Sequence, residues 1–299
     1  MYMQNTFNSN EAITKRNDGI DFINAKTLWS KGIKGEDTII AVVDTGCDIG
    51  HEELKDNIID TFNFTADDNG EINIVTDYTG HGTHVAGIIA ASNKKHLIGI
   101  APKAKLLIIK AIGHTSFSRQ EDLIESIRFA TAWRGRNGEK VDVINLSLGT
   151  KENNPQLREA IDEAINDNIF VVVAAGNYGD GLETTDEILY PGFYEEVIQV
   201  GSVGKNLTPS FMSNTNQNID FLSLGESIYS TYLQNAYMEL TGTSMATPQI
   251  SGAIALILSY FKTNNLPVSQ NIIYQYLVSH SILLKGYSKN TQGNGVLKL

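Results

Sequence analysis

The hydrophobic pattern of the chain alternates between short continuous apolar runs and segments with apolar residues at helical spacing. Four short, nearly continuous apolar runs are rich in β-branched residues, which is typical of strands covered on both faces of a parallel sheet. These runs span residues 38–43, 104–110, 141–146 and 169–174. Between them, apolar residues recur at helical spacing. This alternation predicts right-handed crossovers and an α/β fold, a doubly wound, mostly parallel sheet with helices on both faces.

Two of the intervening helices have recognisable N-terminal signals. Ser118 followed by Glu121 matches a capping box and predicts a helix over residues 119–133. Asn154 followed by Pro155 predicts the start of a second helix, because asparagine caps helices well and proline suits the first helical position. In such sheets the active crevice lies outside the carboxyl ends of the strands, so polar residues that follow the strands are the candidates for chemistry.

Composition and charge limit the class of protein. With 299 residues and 41% hydrophobic content, the chain can form one large domain, which we place at residues 19–299 behind an N-terminal extension of residues 1–18. The formal net charge of −11 argues against binding to nucleic acid or anionic membranes. The N-terminal segment lacks the pattern of a secretory signal, and the single cysteine excludes an internal disulfide framework. These features predict a cytoplasmic protein.

Two residues in the first half of the chain are candidates for acid–base chemistry. Asp44 directly follows the first apolar run, although an isolated carboxylate there could also cap a turn. His81 lies between glycines at the start of an alanine-rich helix and is expected to face the crevice. His84, one turn further on, is interpreted as a structural histidine, with a metal pair as the alternative; the stretch lacks the glutamate and second histidine of the usual zinc motif.

Two residues in the second half complete the set. Asn177 follows the fourth apolar run, where its amide can donate to a developing oxyanion or simply close a turn. Ser244 lies at the N-terminal end of the last long apolar helix, where free backbone N–H groups favour negative charge. A serine hydroxyl needs a base to become a nucleophile. Asp44, His81, Asn177 and Ser244 would together supply acid, base, oxyanion donor and nucleophile.

The motifs VVDTGCD, HGTHVAG, AAGN and GTSMATP resemble the four signature blocks of subtilisin-like serine proteases. The resemblance extends from about Gly19 to Leu299. It is strongest to the intracellular subtilisins of spore-forming bacteria, which share a cysteine in the first block and a Gly-Asp-Gly turn, here residues 179–181. It implies a serine endopeptidase that acts on polypeptides through an acyl-enzyme and needs no cofactor for the chemical step. Intracellular relatives are often homodimers.

The resemblance also assigns roles to individual residues. It implies that Ser244 attacks the peptide carbonyl, that His81 takes its proton and that Asp44 holds the imidazole. Asn177 and the Ser244 backbone N–H would bind the oxyanion, and Thr243 would support Asn177. Substrate would lie as an added strand between two backbone edges. One edge consists of Lys110, Ala111, Ile112 and Gly113, and the other of Ser147, Leu148 and Gly149.

The chain departs from the family pattern in its specificity pocket. Leu189 occupies a position near the floor of the primary pocket that is usually small in this family. A leucine there implies a shallow, apolar pocket for the P1 side chain.

A second departure concerns the loop in which the family binds a tight calcium ion. In this chain the loop, residues 92–99, is about one residue short and carries Lys94 and Lys95. Glu53 stands where an aspartate ligand is usual. Cations oppose calcium binding, so a structural Ca²⁺ held by Glu53 and Asn93 is only a weak prediction.

The biological role stays open at this point. General protein turnover and dedicated processing of one proenzyme or leader peptide fit the sequence equally well. A non-catalytic binding protein on the same fold is the alternative from another class, and loss of a triad residue would favour it; none is lost. Intracellular members block their cleft with an N-terminal LIPY-like motif, which residues 1–18 do not contain.

Overall fold

The folded domain includes residues that the sequence analysis assigned to the N-terminal extension. The structure, a computed structural model, describes residues 17–116 and 118–299. The predicted extension, residues 1–18, therefore lies outside the described residues except for its last two. The Asn17 side chain accepts a hydrogen bond from the Gly19 N–H at 3.0 Å and donates one to the Ile88 carbonyl at 3.3 Å. The predicted boundary after residue 18 thus falls inside the folded domain.

Among the described residues, nine strands form one sheet and two more form a hairpin. The sheet strands are β1 (Ile39–Asp44), β2 (Ile58–Asn63), β3 (Lys105–Lys110), β4 (Val143–Leu146), β5 (Phe170–Ala174), β6 (Ile198–Val203), β7 (Phe221–Leu224), β10 (Ser281–Ile282) and β11 (Val296–Leu297). Their order is β10-β11-β7-β6-β5-β4-β1-β3-β2, and every neighbouring pair is parallel except β10 with β11. The hairpin joins β8 (Ile228–Thr231) to β9 (Tyr237–Leu240). The mostly parallel sheet agrees with the predicted α/β class.

Helices cover both faces of this sheet. They are α1 (Asp18–Phe22), α2 (Lys26–Trp29), α3 (His81–Ala90), α4 (Gln120–Ala132), α5 (Pro155–Asn166), α6 (Thr243–Thr263), α7 (Gln270–Ser279) and α8 (Lys289–Gln292), with a 3₁₀ turn at Asp67–Gly70. Alternate residues of β1 point to opposite faces. Ile40 and Val42 pack in the core with α3 and α6, whereas Ala41 and Val43 pack with α4 and α5.

None of the described helices combines the length and apolar character needed to cross a bilayer.

The predicted elements are confirmed, but one predicted cap is wrong. The four apolar runs form β1, β3, β4 and β5, and α5 begins as expected, with Asn154 Oδ1 accepting from the Gln156 N–H at 2.8 Å. At α4 the Ser118 hydroxyl instead donates to the Ala111 and Arg119 carbonyls, and no side chain caps the helix. The capping box fails because the helix begins one residue later than predicted, with Arg119 and not Ser118 at the N-cap position.

Candidate active site

The carboxyl end of β1 brings Asp44 against the first residue of α3. Asp44 is fully buried, and its Oδ1 accepts from the Thr45 N–H at 2.7 Å and lies 2.7 Å from His81 Nδ1. Gly82 allows this approach, because a Cβ atom there would lie 2.2 Å from the Gly46 carbonyl oxygen. The fold therefore places a carboxylate and an imidazole in direct contact.

The contact with Asp44 raises the pKa of His81. Burial lowers the pKa of His81, but the charge and hydrogen bond of Asp44, aided by the charge of Asp77, raise it above its ordinary value. With Nδ1 directed at the carboxylate, the proton of the neutral ring belongs on Nδ1, so Nε2 is left as the acceptor. The side chain is 29% exposed, so Nε2 can be reached from the crevice. The pair has the geometry of a general base and the group that orients it.

Asp77 is a supporting residue that the sequence reasoning missed. Its Oδ1 accepts from the Thr45 hydroxyl at 2.9 Å and from the Gly80 N–H at 2.8 Å, and its Oδ2 accepts from the Thr83 N–H and hydroxyl. Burial raises the pKa of Asp77, but these hydrogen bonds outweigh it and hold the pKa below its usual range. The carboxylate thus fixes the start of α3. The sequence signal that could have revealed Asp77 is its position just before the TGHGTH motif.

Ser244 lies in the first turn of α6 and pairs with the segment after β4. The Ser244 hydroxyl donates to the Ser147 carbonyl at 3.2 Å, and the Ser147 hydroxyl donates to the Ser244 carbonyl at 3.0 Å. Within residues 17–116 and 118–299, no hydrogen bond joins Ser244 to His81. The Ser244 hydroxyl is therefore directed at the Ser147 carbonyl in this structure.

Thr243 orients the side chain of Asn177, which follows β5. The Thr243 N–H and hydroxyl donate to Asn177 Oδ1 at 2.9 Å and 3.0 Å. Among the described residues Asn177 Nδ2 has no acceptor, and the residue is exposed. Gly242 gives the amide room, since a Cβ atom there would lie 3.3 Å from Nδ2. The amide therefore offers a pre-oriented, free N–H donor at the mouth of the crevice.

One of the two predicted substrate edges is wrong. The Ala111 and Ile112 N–H groups donate to the Asp44 carbonyl, and the Lys110 carbonyl accepts from the Phe64 N–H. The carbonyls of Ala111 and Ile112 accept from the Ser118 hydroxyl and the Lys110 ammonium. The remaining residue of that edge, Gly113, accepts from the Ser116 N–H. These groups belong to the sheet and the turn after it, so the segment offers no row of free backbone groups.

The second predicted edge is open. Leu148 is half-buried and Gly149 is exposed, and neither backbone takes part in a hydrogen bond within the described part of the chain. Leu189 is buried beside this edge: a Cβ atom would lie 3.3 Å from Leu189 Cβ if placed on Gly149, and 2.4 Å from Leu189 Cδ1 if placed on Gly176. Leu189 thus fills the space between two glycine backbones. Its role as a pocket floor stays a prediction.

The residues at the predicted calcium loop do not fit a calcium ion. The buried Glu53 carboxylate accepts backbone hydrogen bonds from four consecutive loop residues, at 2.7 to 3.1 Å. The donors are Lys94, Lys95, His96 and Leu97. Burial raises the pKa of Glu53, but these N–H groups outweigh it and lower the pKa.

Calcium needs six to eight oxygen ligands with free lone pairs, whereas this loop turns N–H groups inward. Asn93 is exposed, and its backbone N–H donates to the Leu97 carbonyl. The parts of the chain that the structure describes contain no cluster of three or more His, Cys, Asp or Glu suited to a metal. The Glu53 carboxylate therefore serves the loop as an acceptor of N–H groups.

We expect calcium to have no effect on stability. Chelation with EDTA or addition of calcium should shift the melting temperature by less than about 1 °C, because no binding means no linkage. Glu53→Gln should lower the free energy of unfolding by about 2 to 3 kcal/mol, since it replaces a charged acceptor of four N–H groups. Glu52→Gln, at the neighbouring and partly exposed position, is the matched control. A rise of several degrees in calcium would contradict the assignment.

His84 has the structural role that was predicted for it. Its Nε2 lies 2.9 Å from the Ile228 carbonyl and 3.0 Å from the Met238 carbonyl, so the ring ties α3 to the β8–β9 hairpin. Burial lowers the pKa of His84 to about 4, which keeps the ring neutral. Because Nε2 faces these two carbonyls, this nitrogen is a hydrogen-bond donor and cannot also bind a metal.

Comparison with known proteins agrees with this geometry. Residues 35–295 match the family model described as the subtilase family. The chain belongs to the subtilase family. It is therefore a subtilisin-like serine endopeptidase, and polypeptides are its substrates.

This subtilase is similar to several named proteases. It is 44% identical to the "Major intracellular serine protease" of Bacillus subtilis (strain 168), over 97% of this chain and 91% of the relative. It is 42% identical to the "Intracellular serine protease" of Paenibacillus polymyxa, over 94% and 84%. It is 38% identical to "Subtilisin DY" of Bacillus licheniformis, over 82% and 85%. The relatives named intracellular align with more of the chain than Subtilisin DY does.

Proposed function

We propose that this subtilase cleaves many intracellular polypeptides through an acyl-enzyme formed on Ser244, in general protein turnover. The observation that carries the proposal is the 2.7 Å contact between the His81 ring and the buried Asp44, at the end of the sheet where α6 presents Ser244. The orientation of Asn177 by Thr243 supports it. Asp44, His81 and Ser244 lie in motifs that resemble those of the family, and so do Asn177 and Thr243.

The proposed reaction uses only groups of the chain. Substrate pairs with the edge formed by residues 147–149, and the Ser244 hydroxyl turns from the Ser147 carbonyl towards His81 Nε2. His81 takes the proton as Ser244 Oγ attacks the scissile carbonyl, and Asp44 stabilises the imidazolium. Asn177 Nδ2 and the Ser244 N–H donate to the oxyanion. The imidazolium then protonates the leaving amine, and water, deprotonated by His81, releases the acyl group.

The cellular setting belongs to the same proposal. Two relatives are named intracellular, and this supports a cytoplasmic location. The charge of −11 supports the absence of nucleic-acid and membrane partners. A homodimer, expected from the resemblance alone, stays a prediction that sedimentation would test.

Labelling with a fluorophosphonate, read by intact mass, tests the chemistry. We expect one label per chain, absent from Ser244→Ala. A variant lacking residues 1–16, which keeps the Asn17 cap, is run alongside. Labelling of the shortened chain alone would make the N-terminal segment inhibitory, and no labelling of either would refute the proposed reaction.

A profile of cleaved sites in a denatured proteome separates turnover from processing. Many unrelated sites are expected for turnover. One tight motif would instead indicate a processing protease for a proenzyme or leader peptide.

The P1 pocket gives a further prediction. Leu189→Gly should raise kcat/KM for substrates with a large aromatic P1 residue, relative to alanine at P1, by about 10- to 200-fold, because a hydrophobic pocket discriminates by the volume it can hold. Matched peptides that differ only at P1 provide the measurement. Leu182→Gly, at an exposed leucine, is the control. An unchanged ratio would remove Leu189 from the pocket.

A further inference from the structure

One of the largest fully buried side chains of the described residues is a lysine. Lys110 is the last residue of β3 and lies directly beside Asp44, its register partner on β1. A buried ammonium costs several kcal/mol unless charge and hydrogen bonds compensate for it. Because burying Lys110 is costly and it lies next to the aspartate of the proposed triad, we asked what its ammonium group does there.

Its three hydrogen-bonding directions are all used. Nζ donates to the Thr45 carbonyl at 2.7 Å and to the Ile112 carbonyl at 3.2 Å, and it lies 3.1 Å from Asp67 Oδ2. The Tyr78 ring covers it, with 5.3 Å between Nζ and the ring centroid. The ammonium is thus a fixed junction between the turn after β1, the turn after β3 and the loop between β2 and α3.

The turn that Lys110 holds is the one that sets the geometry of Asp44. The Thr45 N–H donates to Asp44 Oδ1, the same oxygen that contacts His81. The Thr45 hydroxyl accepts from the Gly82 N–H at 2.9 Å, directly after His81. A shift of Thr45 would therefore move the carboxylate and the start of α3 relative to each other.

Asp67 keeps the ammonium in place. Its side chain is 7% exposed, and its two oxygens also accept from the His114 backbone N–H at 2.7 Å and lie 2.6 Å from His114 Nδ1. Burial raises the pKa of Asp67, but His114 and Lys110 outweigh it and lower the pKa, so the carboxylate is charged at neutral pH. The Asp67 carboxylate is therefore available to pair with the Lys110 ammonium at neutral pH.

We infer that Lys110 is a positioning residue for the Asp44–His81 pair, and that Asp67 holds it there. The inference rests on the proposed function, because it concerns the same reaction. Lys110 does not touch the reacting atoms; it acts through the Thr45 carbonyl. The role is distinct from the substrate edge that the sequence suggested for this residue.

The test compares Lys110→Met with Asp67→Asn, using Lys103→Met as the control. Lys103 also pairs with a carboxylate, that of Glu36, but its side chain is 59% exposed. For Lys110→Met we expect kcat to fall by about 10- to 100-fold with KM changed less than about threefold, as for a small misplacement of catalytic groups. The rate of fluorophosphonate labelling should fall in proportion, at a temperature well below unfolding. Lys103→Met should match the wild type.

The pH profile separates positioning from a direct electrostatic effect. If Lys110→Met loosens the contact between Asp44 and His81, the pKa of His81 falls and the acid limb of kcat moves to lower pH. Loss of a nearby positive charge alone would raise that pKa and move the limb to higher pH, which would overturn the inference. Asp77, the other charge acting on His81, is unchanged in both variants.

Asp67→Asn keeps the inference falsifiable if Lys110→Met does not fold. Asp67 lies in a loop, and asparagine retains an acceptor, so the fold should survive. We expect a smaller loss of kcat in the same direction, of about three- to tenfold, because the ammonium loses its ionic partner. Wild-type kcat in this variant would overturn the inference. Failure of the wild type to label at Ser244 would instead refute the proposed function itself.

Discussion

Ser244→Ala is expected to lower kcat by about 10⁶-fold, the scale on which removal of a catalytic serine acts. The variant loses one half-buried oxygen at the N-terminal turn of α6, whose hydrogen bond to the Ser147 carbonyl is 3.2 Å long. Its partner, the Ser147 hydroxyl, still donates to the backbone of residue 244. We therefore expect a melting temperature within about 2 °C of the wild type, as for a change of a few tenths of a kcal/mol.

Hydrolysis of a chromogenic peptide at saturating concentration measures this loss. Ser279→Ala, which changes an exposed serine on α7, controls for purification and trace protease. Activity of Ser244→Ala within tenfold of the wild type would mean that another residue is the nucleophile.

Asp44→Asn has the second largest expected effect, a fall in kcat of about 10⁴-fold. Asparagine fits the same space, but its NH₂ group can face His81 Nδ1 and favour the wrong tautomer. If the amide oxygen instead stays on the Thr45 N–H, the same atom still faces His81 but no longer carries the charge that stabilises the imidazolium. Either orientation keeps the geometry and weakens the base.

The pH profile of kcat/KM gives Asp44→Asn a second signature. The reaction needs neutral His81, so activity rises with pH through the pKa of this residue. In the wild type burial lowers that pKa and Asp44 more than offsets it, leaving the pKa raised. Neutralising Asp44 removes the raising effect, and the acid limb should shift to lower pH. Asp48→Asn, an equal charge change on the same loop, should leave the limb in place.

The sequence predicted most of the fold because buried parallel strands have a distinctive pattern. The runs that became β1, β3, β4 and β5 are apolar on both faces, and a turn signal follows each. Their ends then located Asp44 and Asn177. The motif of α6 located Ser244, and the structure brought its α6 neighbour Thr243 against the Asn177 amide.

What the sequence could not predict depends on where backbone groups and side-chain atoms point. The apolar run around Lys110 looked like a strand with a free edge beyond it, but the Asp44 carbonyl already pairs with that stretch. Glu53 looked like a metal ligand, and only the direction of four loop N–H groups shows that it is an acceptor. Ser118 looked like an N-cap, but the helix begins one residue later and the hydroxyl donates to backbone carbonyls before it.

The two hydrogen bonds between Ser147 and Ser244 connect the proposed nucleophile to the predicted substrate edge. The carbonyl that holds the Ser244 hydroxyl belongs to the edge on which a peptide would lie, so an arriving chain and the resting hydroxyl compete for one oxygen atom. Binding of a peptide along this edge would therefore favour the turn of the Ser244 hydroxyl from the Ser147 carbonyl towards His81.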